Sequence, residues 1–200
     1  MRKLFIFILL TSIAIFLINC GGEEEENYYP LSIGNEWNYE VTMTVDIPDT
    51  SYTFTGDSQD RIVGTTQLAG GMSVFEFATA ITLNGYSGND TFYIRGTDTA
   101  VYLYETLDDT LPDTYLEFPI ENGRTWIVNS AETAVVLGSI DISVPAGTYN
   151  DCWEIAYIGE DDTIFVYLAN GIGEVKGYAI DAYADTTVTL SLELESVTIQ

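Results

Sequence analysis

The chain reads as all-β: an antiparallel meander forming a strongly curved sheet or a partly closed barrel, preceded by a cleaved N-terminal signal helix. Three observations predict it. Apolar and polar residues alternate with period two through most of the chain after residue 35. Turn dipeptides such as Asn84-Gly85 and Asn122-Gly123 recur at short intervals. No window beyond the signal keeps the 3.6-residue period of an amphipathic helix.

The first segment, 1–19, is a secretory signal in outline. Arg2 and Lys3 open it, an apolar run from Leu4 to Ile18 follows, and Leu17-Ile18-Asn19-Cys20 ends it. A run of 15 residues interrupted by Thr11 and Ser12 is short for a membrane-spanning helix, which needs about 20. The pattern resembles the lipobox of bacterial lipoproteins. Leu17 matches that motif three residues before the cysteine, and Asn19 stands where Gly, Ala or Ser is usual. The resemblance implies cleavage before Cys20 and lipidation of its thiol and new amine, with palmitate among the expected acyl chains. Two or more such chains hold a protein stably on a membrane. The expected location is the outer membrane, facing the periplasm or the cell surface.

Residues 20–27 form an acidic Gly/Glu tether: Gly21-Gly22 followed by Glu23 to Glu26. Glycines and like charges do not pack, so a solvated tether is one reading. Acidic residues just behind the lipidated cysteine also resemble the surface-export signal of Bacteroidota-type lipoproteins.

Residues 28–200 form a single β domain. Trp37, Tyr39, Val41, Met43 and Val45 share one strand face; Phe75, Phe77, Ile81 and Leu83 share another. Val136, Ile140, Ile142 and Val144 form a similar row, as do Trp153, Ile155 and Tyr157, and Val188, Leu190, Leu192 and Leu194. Each describes a strand with one buried and one wet face.

Charge narrows the function classes. Arg2 and Lys3 precede Cys20 and all 31 acidic residues follow it, so the chain from Cys20 on sets four positive charges against 31 negative, a net −27. Such a surface repels nucleic acid and anionic headgroups, so no nucleic-acid partner is expected. With 46% hydrophobic residues the chain is nonetheless able to build a core. There is no histidine, which removes Ser-His-Asp and Cys-His catalysis and the common zinc sites. No cofactor is expected. With Cys20 taken by lipid, Cys152 has no disulfide partner; its acidic neighbours Asp151 and Glu154 favour an inert, buried thiol over a reactive one.

Several groups invite a site reading. Calcium ligands could come from Asp108 with Asp109, from Glu160, Asp161 and Asp162, or from Asp57 with Asp60, but none has the spacing of a calcium loop, and solvated turns are the favoured reading. Gly171-x-Gly173 with Lys176 looks like a phosphate loop, yet a strand follows where a helix should, so a hairpin turn is favoured. Tyr93, Tyr102 and Tyr104 could stack a sugar; cross-strand packing is favoured.

Pro30-Leu31-x-x-Gly34-x-x-Trp37 recurs as Pro119-Ile120-x-x-Gly123-x-x-Trp126. The echo suggests two halves, 28–114 and 115–200. These two stretches, with Val144-Pro145-Ala146-Gly147-Thr148-Tyr149 and Gly171-Ile172-Gly173-Glu174-Val175-Lys176, resemble the TapB-like group of uncharacterised bacterial envelope lipoproteins. That resemblance implies an all-β envelope domain and carries over no catalytic residue.

The expected function is therefore non-catalytic: a lipid-anchored envelope or cell-surface protein with a binding or structural role, its protein, glycan or apolar-ligand partner open. The alternative is carriage of a small apolar ligand in a half-barrel cavity, which requires an apolar cavity of roughly several hundred Å³. A carboxylate-based hydrolase would require two inward-facing carboxylates in a cleft.

Overall fold

The computed structural model describes residues 26–160, 162–183 and 185–200. The signal segment and Cys20 lie outside the described residues. Twelve antiparallel strands form one sheet: β1 Glu36–Ile47, β2 Thr50–Gln67, β3 Ser73–Leu83, β4 Tyr86–Gly96, β5 Ala100–Tyr104, β6 Asp113–Glu117, β7 Thr125–Ile127, β8 Thr133–Val144, β9 Gly147–Ile158, β10 Asp162–Ala169, β11 Gly173–Tyr183 and β12 Thr186–Thr198. The described residues contain no helix.

The turn chemistry accounts for the hairpins. Leu83 pairs with Tyr86 across Asn84-Gly85, both at positive φ (49° and 84°), the two-residue turn whose twist matches the flanking strands. Ile47 pairs with Thr50 across Pro48-Asp49, and Val144 with Gly147 across Pro145-Ala146.

The order across the sheet is β6-β5-β4-β3-β2-β1-β12-β11-β10-β9-β8-β7. Two meanders, β1 to β6 and β7 to β12, therefore lie back to back, joined where β1 pairs with β12. The outermost strands, β6 and β7, are consecutive in sequence. A connector from residue 118 to 124 spans at most about 28 Å. A flat sheet of this many strands would hold its edges about 50 Å apart. Topology alone thus forces the sheet to curl until its edges meet.

Where they meet, the Thr114 amide donates to the Val128 carbonyl at 2.9 Å, and the Trp126 indole N–H donates to the Thr114 carbonyl at 2.9 Å. The Tyr157 hydroxyl donates to the Tyr115 carbonyl at 2.6 Å. The barrel is nearly closed, sealed by a few bonds rather than a full ladder.

The inward face carries the main core, from Trp37, Tyr39 and Phe77 on one wall to Trp126, Val136, Ile155 and Leu168 on the other. Trp37 stacks on Phe77, and Phe77 on Phe92, with centroids 5.8 and 4.7 Å apart. A satellite cluster of Leu68, Val74 and Tyr104, flanked by Tyr93 and Tyr102, lies apart from it.

One expected row is corrected. Ile140 is 48% exposed, although Val136 is buried. Register shifts between Val136 and Gly138, and again between Ile140 and Ile142, break the alternation of β8. Each bulge moves the side chains by one parity, so the inward row stops at Ile140 and resumes at Ile142 and Val144.

The echoed motifs make the same bonds. Gly34 donates to the Ile62 carbonyl, and Ile62 donates back to Asn35; Gly123 donates to Val136, and Val136 donates back to Arg124. Asn35 donates to Ser32 as Arg124 does to Glu121. Both glycines need positive φ (94° and 79°), and both tryptophans are 4% exposed. Trp37 stands opposite Asp60 and Trp126 opposite Ala134, so Asp60 holds the place in one half that a buried alanine holds in the other. The division at 114/115 falls inside β6; the sheet order breaks between β6 and β7.

Asn35, fully buried, ties the two chain ends together. Its amide donates to the Pro30 carbonyl at 2.9 Å, and its oxygen accepts from the Gln200 amide at 2.9 Å. Asn35→Ala orphans the buried Pro30 carbonyl and releases the Gln200 amide to solvent, and chemical denaturation is expected to show a loss of about 1–3 kcal/mol. An unchanged midpoint would refute the clamp.

Candidate functional site: a buried carboxylate pair behind a barrel-mouth cleft

Two strands bring carboxylates inward. β2 presents Asp60 beside Trp37 on the core face, where Thr79 Oγ1 donates to its Oδ1 at 2.8 Å. The expectation of Asp57 and Asp60 in a solvated turn is corrected: both lie mid-strand in the 18-residue β2, with Asp57 exposed and Asp60 turned into the barrel. From β11 comes Glu174. The register of β10 with β11 shifts between Tyr167 and Leu168, leaving Val175 as the extra residue, and this bulge sits directly beside Glu174. Such a bulge re-aims its neighbours. The Tyr115 hydroxyl donates to Glu174 Oε2 at 3.3 Å, and the Tyr39 hydroxyl to the Glu174 carbonyl at 3.1 Å.

Both acids line a cavity of about 30 Å³ with Tyr29, Tyr39, Trp37 and Phe77. That is room for about one water. The two ion pairs formed by the described residues, Arg124–Glu117 and Lys176–Glu193, involve neither acid. Burial in this aromatic surround pushes Glu174 up to about 8, with the Asp60 charge adding to the rise and the Tyr115 hydrogen bond opposing it. Burial pushes Asp60 up to about 6, against the Thr79 bond. The phenols of Tyr29, Tyr39, Tyr115 and Tyr157 are raised too, first by burial and then by Glu174.

Tyr29 lines both this cavity and a larger one. At the barrel end, the lead-in Glu26–Tyr29, the β4–β5 turn Gly96–Thr99 and Phe118–Ile120 of the β6–β7 connector enclose an open cleft of about 690 Å³. Tyr28, Tyr29 and Phe118 supply its aromatic wall, Val101 and Ile120 its buried floor, and Glu26 and Asp98 its charges. No lysine or arginine lines it. A smaller groove of about 180 Å³, with Leu103, Val128, Ile164 and Val166 on its walls, lies near the β6–β7 seam.

The residues singled out by sequence fall elsewhere. Cys20 and Asp161 are outside the described residues. Both Asp109 oxygens accept from Thr106, one from its amide and one from its hydroxyl, at 2.8 Å, which holds that carboxyl below its ordinary value. Asp108 and Asp162 are exposed. Among the described residues no three His, Cys, Asp or Glu side chains group to hold a metal. Gly171 and Gly173 form the β10–β11 hairpin turn, its Ile172 carbonyl accepting from the Trp37 indole at 2.7 Å, and Lys176 pairs with Glu193. Tyr93 pairs directly with Tyr104 across β4 and β5, in the satellite core. Cys152 is buried and free, its thiol raised by burial. Glu174, Glu26 and Asp98 were not singled out as site residues.

No family model matches the chain, and no curated protein matches it. Among solved structures, the chain is similar to a "putative exported protein with YmcC-like fold" from Bacteroides fragilis: TM-score 0.50, 11% identity, covering 87% of this chain and 100% of that one. A "putative lipoprotein" from Parabacteroides distasonis gives a TM-score of 0.49 at 12% identity, over 86% and 99%. At such identities the likeness to the Bacteroides protein is one of fold.

Two predictions follow from burial. In the unfolded chain both acids titrate near 4, whereas the fold keeps Asp60 protonated to about pH 6 and Glu174 to about pH 8. The stability these groups contribute is full below about pH 4 and is lost as pH rises through 8. Tm should fall by several degrees between pH 5 and pH 8.5, and Glu174→Gln should flatten most of that slope; parallel slopes in the two proteins would refute the assignment. Cys152 should resist a thiol reagent in the native protein and react fully in denaturant.

Proposed function

We propose that this chain is a non-catalytic, lipid-anchored protein of the bacterial envelope that holds a ligand at the mouth of its barrel. One observation carries the binding reading. The interior is packed with side chains and leaves about 30 Å³ beside the carboxylates, whereas the mouth opens into about 690 Å³ lined by aromatic rings. Carriage of an apolar molecule inside the barrel is disfavoured by that filled core. Hydrolysis is disfavoured on the same ground: Asp60 and Glu174 face inward together, yet their cavity has no room for a sugar ring or a peptide.

The envelope assignment rests on the lipobox-like Leu17-Ile18-Asn19-Cys20. The shared fold with a protein described as exported agrees with it. On this reading the outer membrane is the anchoring surface, and the acidic stretch Glu23–Glu26 favours display on the outer face.

Metabolic labelling with an alkyne palmitate analogue is expected to mark the wild-type chain and not Cys20→Ser. An unlabelled wild-type chain, or equal labelling of Cys20→Ser, would overturn the anchor. Native mass spectrometry of the detergent-purified protein tests the binding role through co-purified molecules.

A further inference from the structure

Two polar side chains of the mouth cleft bond the local backbone. Thr97 Oγ1 donates to the Ala100 carbonyl at 3.0 Å and accepts from the amides of Thr99 and Ala100. The Asn27 side-chain oxygen accepts from the Tyr29 amide at 3.3 Å. The lining offers a ligand three aromatic rings, an apolar floor and the carboxylates of Glu26 and Asp98, neither in an ion pair among the described residues.

This set discriminates between ligand classes. A neutral sugar would leave the charges of both rim carboxylates without a counter-charge. An anion meets two carboxylates and no cation. An ammonium group finds acceptor charges at the rim and the negative faces of aromatic rings on the wall. The surroundings act in the same sense: 31 acidic residues against four basic ones after Cys20 attract cations from a distance. Asp60 and Glu174, whose cavity Tyr29 also lines, lack a cationic partner among the described residues as well.

Building on the binding role above, we propose that the mouth cleft binds an alkylammonium group, presented by a polyamine or by the lysine side chains of a basic peptide.

The test titrates the detergent-purified full chain with spermidine, trilysine, uncharged 1,4-butanediol and the neutral sugar cellotetraose, followed by calorimetry and aromatic fluorescence. Spermidine and trilysine should bind and the two neutral probes should not; the tighter of the two amines identifies the source. Glu26→Gln with Asp98→Asn should weaken amine binding about tenfold, since both rim charges are removed. Asp57→Asn with Asp108→Asn, which removes two exposed charges elsewhere, should change it less than about twofold. Equal losses in the two double variants would overturn the proposal, because the amines would then be held by general charge. Silent amine titrations with a co-purified molecule in the native spectrum would remove the ligand class alone. Silent titrations with an empty spectrum would remove the binding role too.

Discussion

The pairing of β1 with β12 is the constraint on which the rest of the molecule depends. It joins the first described strand to the last, from Glu36 opposite Thr198 to Asp46 opposite Thr187. Without it the two meanders are separate six-stranded sheets, each with a long exposed edge. With it, the consecutive strands β6 and β7 are carried to the two far edges, and their short connector obliges those edges to meet. Curvature, near-closure and the enclosed core are consequences of one strand contact and one short loop.

The same closure creates the polar surprise of the interior. Once the sheet curls, a residue of inward parity is turned toward the enclosed side, whatever its chemistry. Asp60 is inward by register with Trp37, and a bulge at Val175 lies beside Glu174. Neither acid finds a cation among the described residues, so Glu174 keeps its proton through neutrality while Asp60 gives its up near pH 6, and the tyrosines crowd around a pair that carries at most one charge at neutral pH. Buried charge of this kind destabilises a fold, and the second half avoids it by setting Ala134 at the position equivalent to Asp60.

Most of the architecture was legible in the residues because alternation and turn chemistry are local. Asn84-Gly85 specifies its hairpin without help from the rest of the chain, and the Trp37 and Val188 rows point inward as their spacing predicts. What local pattern could not show is where alternation is interrupted. Ile140 departs from its expected face because two register shifts between β8 and β9 leave no mark on period two. Asp60 was misread because a polar stretch in a long strand looks like a turn until its partner is known. Glu174 was hidden in a glycine-flanked motif whose obvious reading was its turn. The mouth cleft is built from three segments far apart in sequence, so no single window contained it.

The Asn35 clamp also bears on how the molecule takes a load. A pull on the chain from its N-terminal side meets first Asn27, bonded to Asn170 and Gly171 at the β10–β11 turn, and then Asn35, which is tied to Pro30 and Gln200. From there it runs along β1, which has β2 on one flank and β12 on the other over nearly its whole length. Force directed along that strand loads the ladder bonds on both flanks together, in shear, instead of opening them one by one from an edge. The shortest strands, β6 and β7, lie farthest from this line. The barrel is thus braced best along β1, and its seam is the part most free to yield.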